Sequence, residues 1–153
     1  MELRLATECD VRALSGLYAR AARAAGPAVY DDLQVQAWAS FAESGERFRD
    51  YVLGARTWVA EREGRLIAFC GIDQQSELRS LYVAPEWQRQ GLGRHLLRHV
   101  LQDAAAAVGP AVRTWATPLS RPLFESEGFR LVEVRSEPYQ GVVFERYRLE
   151  RRP

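Results

Sequence analysis

Residues 77–108 read ELRSLYVAPEWQRQGLGRHLLRHVLQDAAAAV, and they decide the fold. Glu77 to Val83 is a strand, weighted by Leu78, Leu81, Tyr82 and Val83. Ala84-Pro85-Glu86 stops it, because proline cannot donate to a ladder and restricts the residue before it. Leu92, Leu96, Val100, Ala104 and Val108, flanked by Leu97 and Leu101, then form the apolar stripe of a long helix that Gly109-Pro110 ends. Between strand and helix lies Gln88-Arg89-Gln90-Gly91-Leu92-Gly93. A helix start offers unpaired N–H groups and the positive end of the macrodipole, so it suits an anion. Gly91 and Gly93 carry no Cβ, which lets a bulky anion approach the backbone, and Arg89 and Arg94 add charge suited to phosphate oxygens. The stretch reads as a phosphate or pyrophosphate cradle. The same spacing also fits a strand–helix turn whose glycines serve close packing. It is neither the P-loop GxxxxGK[ST] nor the dinucleotide GxGxxG, since Gly91-Leu92-Gly93 is followed by Arg94-His95-Leu96.

Working outward, the N-terminal side begins with a strand at Leu3 and Leu5, then Thr7-x-x-Asp10 as a capping-box variant. A helix follows with Val11, Leu14, Tyr18, Ala21 and Ala25 on one face, closed by Gly26-Pro27. Asp31-Asp32 open a short helix over Leu33 to Ala39, and a third fits Glu46 to Leu53. Thr57–Glu61 and Arg65–Ile72 are hairpin strands around Arg62-Glu63-Gly64. On the C-terminal side Ala111–Thr117 is a strand parallel to Glu77–Val83, because a helix crossover joins them. A short helix spans Arg121 to Glu127, capped by Gly128. Phe129–Ser136 and Val142–Leu149 close the sheet as a hairpin with Glu137–Gly141 as its loop, and Glu150–Pro153 reads as frayed. The expectation is one α/β domain over 1–153, a mixed sheet of about seven strands with helices on both faces.

LYVAPEWQRQGLGRHLL resembles motif A of the GNAT superfamily of acyl-CoA-dependent N-acetyltransferases, [QR]-x-x-G-x-[GA], through Gln88, Gly91 and Gly93. The order of elements is similar to that fold from end to end. The resemblance implies acetyl-CoA or another short acyl-CoA as co-substrate and a small-molecule or peptide amine as acceptor. It implies that Gln88, Arg89, Gln90, Gly91, Leu92, Gly93 and Arg94 hold pyrophosphate, and that the backbone of Leu81, Tyr82 and Val83 pairs with pantetheine. Leu81 then supplies a backbone N–H to the thioester oxygen, and Phe124 packs at the pantetheine end. Glu77 is the candidate general base. The family's FYeklGF pattern carries a tyrosine acid where this chain has Phe124, so that acid is missing; Tyr30, Tyr82 and Tyr139 are possible substitutes. Tyr30 and Trp38 are assigned to the acceptor site. The absent tyrosine also leaves room for a non-catalytic CoA-binding or sensing module. Tyr30 with Gln36–Ala39, Arg121–Phe129 and the segment GVVFERYRLE further resemble the YafP-like bacterial subgroup.

Composition bounds the rest. Net charge is +1, with no basic block, so nucleic acid is not an expected partner. No apolar run approaches a membrane span and MELRLATECD has no apolar leader core. Cys9 and Cys70 are too few for a disulfide scaffold, which fits a cytoplasmic protein, and Cys70 in FCGI reads as a buried inert thiol. All 21 basic residues are arginine, which suggests a GC-rich bacterial genome. His95 and His99 share a helix face at i,i+4, but no third ligand is evident and no metal is expected. Homodimers are frequent in the superfamily, so a homodimer is possible here.

Overall fold

The structure is a computed structural model that describes residues 1–107 and 111–153. Val108, Gly109 and Pro110, the end of the stripe and the stop signal, lie outside the described residues. The strands are β1 (Glu2–Leu5), β2 (Arg56–Arg62), β3 (Arg65–Ile72), β4 (Glu77–Val83), β5 (Val112–Ala116), β6 (Arg130–Tyr139) and β7 (Val142–Arg151). The helices are α1 (Val11–Ala25), α2 (Asp32–Ser40), α3 (Glu46–Leu53), α4 (Leu92–Ala107) and α5 (Arg121–Ser126). One seven-stranded sheet has the order β1-β2-β3-β4-β5-β7-β6. All neighbours are antiparallel except β4 and β5, the pair joined through α4.

Alternation along the strands divides the core between two faces. Ala60, Ala68, Cys70, Ile72 and Leu78 meet Leu96, Leu97, Val100 and Ala104 of α4 and Phe124 of α5. Val59 and Phe69 point the other way, onto Leu14, Leu17 and Tyr18 of α1 and Phe48 and Val52 of α3. The β3 run Ile67–Ile72 is buried residue after residue because helices cover both of its faces. Each fully buried leucine or valine contributes about 1.5–3 kcal/mol against leaving it in water.

Local chemistry sets the helix entries. Asp31 accepts from the Gln34 backbone N–H at 2.8 Å while Gln34 Oε1 accepts from the Asp31 N–H at 2.9 Å, a reciprocal capping box. At Thr7 the Asp10 carboxylate accepts from the Thr7 N–H at 2.8 Å and takes both guanidinium arms of Arg4. A short 3-10 turn, Glu8–Asp10, comes before α1.

Two boundaries differ from the sequence reading by more than a residue. The terminal hairpin turns on Gln140-Gly141 alone, both at positive φ (53° and 74°), so β6 runs on through Pro138 to Tyr139. Proline is tolerated there because β6 is the outermost strand. Glu150 and Arg151 are not frayed: β5 pairs them with Arg113 and Val112.

Candidate functional site

Strands β4 and β5 pair only at Glu77↔Arg113 and Leu78↔Thr114, and then they part. A register shift opposite Gly71 and Ile72 adds Arg79 to β4 at this point. Beyond it, Ala84 N–H bonds Ile67 O across β3 at 2.8 Å, so period-two alternation turns the N–H groups of Leu81 and Val83 towards the gap. Val83 O is taken by Gln88 Nε2 at 3.0 Å. The gap opens into a cavity of about 850 Å³.

At the C-terminal end of β4 the cavity meets the glycine loop. Arg89 and Gly91 have positive φ (61° and 83°), a backbone that favours glycine at 91 for conformation as well as for space. Among the described residues no acceptor meets the N–H groups of Arg89, Gln90 or Gly91, and the first-turn N–H groups of α4 have none by helix geometry. A Cβ built on Gly93 would stand 3.5 Å from Val83 and 3.6 Å from Leu123, ordinary contacts. A side chain there would therefore touch both neighbours without clashing. Arg89 is exposed and makes no ion pair among the described residues. Arg94 lies between Ser126 Oγ (3.0 Å) and the Glu127 carboxylate (3.3 Å), which Arg98 also binds. Gln90 Nε2 holds Glu86 O at 3.1 Å, and Leu92 is buried. This combination of free N–H groups, guanidinium charge and a long slot fits a pyrophosphate bearing an extended chain.

The opposite end is aromatic. Trp38 Nε1 donates to Tyr82 Oη at 3.1 Å, and Tyr82 lies against Tyr18 and Phe69. Tyr30 stacks edge-on against Trp38 and Phe144, and burial pushes its phenol up to about 12. Burial also raises the Tyr82 phenol, although hydrogen bonds from Trp38 and the neighbouring tyrosines oppose that. Trp115 also lines the cavity, with Arg135, Arg146 and Arg148 each about 5 Å from its ring. Phe124 is buried, edge-on to Phe129, and lines the cavity with Leu123 and Ser120.

Most residues named from the sequence therefore line one cavity, but Tyr30, Gln90 and Leu92 lie outside its lining, and Glu77 stands apart. It is not among the lining residues, and its Oε2 accepts from Arg148 Nη1 at 2.7 Å. Tyr139 sits against Phe41, away from the lining, with its hydroxyl buried and unbonded. The sequence reading missed Ala21, Ala24, Ala25 and Ala28, which line the cavity from α1 and the turn after it. The only signal was the alanine run AARAAGPA, which carries no chemistry. Cys70 is fully buried and burial pushes its thiol up, so it is inert. His99 packs edge-on against Trp58.

The profile of the acetyltransferase (GNAT) domain matches residues 27–151, and the chain belongs to that family: it is an acyl-CoA-dependent acetyltransferase. A GCN5-related N-acetyltransferase from Rhodopseudomonas palustris superposes with a TM-score of 0.94 at 18% identity, over 99% of this chain and 95% of that one. The PaiA N-acetyltransferase of Thermoplasma acidophilum, solved with coenzyme A, gives 0.77 at 17% identity over 99% and 98%. These likenesses show the fold. In sequence, the peptidyl-lysine N-acetyltransferase YiaC of Escherichia coli is 36% identical over 52 residues, 34% of this chain and 36% of that protein.

Proposed function

We propose that this chain moves an acetyl or other short acyl group from acyl-CoA to a primary amine by direct attack, without a covalent enzyme intermediate. The observation that carries the reading is the parting of β4 and β5 above a glycine loop with unengaged N–H groups. Acyl-CoA supplies the activated thioester. The N–H groups from Arg89 to Arg94, with the Arg89 and Arg94 guanidiniums, bind its pyrophosphate. Gln88 positions the loop by holding Val83 O, and Gln90 does the same through Glu86 O. Leu81, Tyr82 and Val83 present the strand edge along which pantetheine lies, and Phe124 packs beside it. The Leu81 N–H is aimed at the charge that develops on the carbonyl oxygen, a fixed donor that needs no reorganisation. Trp38 walls the acceptor, with Tyr30 packed against it.

Glu77 could act as the base only by leaving Arg148, which binds its carboxylate outside the cavity lining. The YafP-like subgroup is a reading of sequence alone, from Tyr30 with Gln36–Ala39, Arg121–Phe129 and GVVFERYRLE. The exposed Cys9 and buried Cys70, both unbridged, suit the cytoplasm, where acyl-CoA is also found.

Thermal unfolding with and without acetyl-CoA tests the reading. At a hundredfold excess over Kd, binding stabilises by about 2.7 kcal/mol, a rise of roughly 5–10 °C for a domain of this size. Thiol release on adding an amine then reports transfer. A midpoint unmoved by saturating acetyl-CoA and by longer acyl-CoAs would sink the proposal.

A further inference from the structure

The cavity is poor in groups that can move a proton. Among the described residues that line it there is no aspartate, glutamate, histidine, cysteine or lysine. Its charged lining is Arg79, Arg89 and Arg94, and an arginine does not give up its proton in a protein. The nearby carboxylates are committed elsewhere. Asp73 is bound by Arg79, Glu127 by Arg94 and Arg98, Glu77 by Arg148, Glu137 by Arg135 and Arg146, and Glu145 by Tyr147. Burial works against ionisation of Glu137, yet its two arginines hold it below the usual range. The tyrosines at this end, Tyr18, Tyr51 and Tyr82, are raised by burial and stay protonated. Phe124 offers no acid.

An alkylammonium faces two obstacles in such a place. No carboxylate receives its charge, and no base removes its proton. Near pH 7 fewer than about one lysine-type amine in a thousand is already neutral. A ring-bound amine meets neither obstacle: its lone pair is delocalised into the ring, so it is uncharged at this pH. Its flat ring also matches the surfaces present, since Trp38, Tyr82 and Trp115 all line the cavity, Trp38 bonded to Tyr82.

We infer that the acceptor is a small uncharged aromatic amine whose ring lies between Trp38, Tyr82 and Trp115. This rests on the acyl-transfer reading and gives its acceptor a chemical class. The amine nitrogen forms a bond to the thioester carbonyl carbon as the C–S bond breaks. The nitrogen loses its extra proton to water, and coenzyme A leaves as the thiolate, a tolerable leaving group at a thiol pKa of about 8.5.

The experiment measures thiol release from acetyl-CoA with the intact protein and four acceptors: 4-ethylaniline, phenethylamine, a lysine peptide and spermidine. The inference expects kcat/KM for 4-ethylaniline at pH 7 to exceed that for phenethylamine by about tenfold or more, and to stay flat from pH 6 to 9. Phenethylamine should gain about tenfold per pH unit over that range, following its own free base. Trp38→Leu and the milder Trp38→Phe should raise the KM for 4-ethylaniline while the acetyl-CoA thermal shift is kept. Preference for the peptide or spermidine, or an alkylamine rate flat above pH 7, overturns the inference, the latter by revealing a base. A normal thermal shift with no arylamine turnover overturns it while leaving the acyl-CoA reading intact. Absence of the shift removes both.

Discussion

The two ends of the cavity are built in opposite ways. At the glycine loop the groups available to a ligand are chiefly the backbone N–H groups of one short stretch, Arg89 to Arg94, placed by chain geometry. At the aromatic end they are side chains from α1, α2, β4 and β5, with Phe144 of β7 behind them. A backbone site depends on φ and on the absence of Cβ, so few residue types can serve it. A side-chain site depends on packing between distant segments, and many residue types can make one. The first should therefore fail all at once, and the second by degrees.

Gly93→Asp should break the contrast most sharply. The new Cβ meets only ordinary contacts with Val83 and Leu123, so the chain should fold, but a carboxylate would stand in the cradle. Like charge there costs several kcal/mol, so acetyl-CoA affinity should fall by about a hundredfold or more. Gly91→Asp should lose the thermal shift too, with an added stability loss from its φ of 83°.

Asp10→Asn is the control for damage outside the cavity. Arg4 holds the Asp10 carboxyl below its usual range through a two-armed hydrogen bond. A depressed folded pKa stabilises above the unfolded value, near 3.9, and this is lost as pH falls through the folded value. The variant should lose about 1–3 kcal/mol at pH 7, and its gap from the parent should close in strong acid, read by denaturant titration. Its acetyl-CoA affinity should not change.

Gly26→Ala tests the aromatic end by degrees. Gly26 has helical φ and ψ, so alanine brings no backbone strain, but its Cβ would lie 2.9 Å from Val35 and 3.5 Å from Trp38. Overpacking of this kind costs about 1–3 kcal/mol and should shift α2. Steady-state kinetics should show a severalfold rise in acceptor KM with acetyl-CoA affinity kept. Glu77→Gln should do least. A lost general base costs at least about a hundredfold, whereas removing a partner of Arg148 should lower kcat by less than about tenfold.

The same contrast explains what the sequence disclosed. The strand, the loop and α4 were legible because proline, two glycines and a 3.6-residue stripe are local signals within one stretch. The boundaries of α3, β3 and β4 were read to the residue for the same reason. The β6–β7 turn was misjudged because Pro138 and Gly141 together look like a loop. Only the strand order shows that Pro138 stands on an outer edge. Glu77 was read as a base from its place at a strand end, but its partner Arg148 lies 71 residues away, beyond the reach of any local pattern. The alanine wall of α1 was invisible because its contribution is the room it leaves.

Arginine is the side-chain cation in every ion pair among the described residues, from Arg4–Asp10 on β1 to Arg148–Glu77 beside the cavity. None of the 153 residues is lysine, so no side chain carries an aliphatic amine. Guanidinium keeps its proton in water and is a poor nucleophile towards thioesters. An acyl-transferring protein kept among reactive thioesters is thereby spared acylation at its own ion pairs, whose charges would otherwise be erased one by one. Prolonged exposure to acetyl-CoA should leave the electrostatic frame of the fold unaltered, and the intact mass should show no ladder of 42-Da additions on side-chain amines.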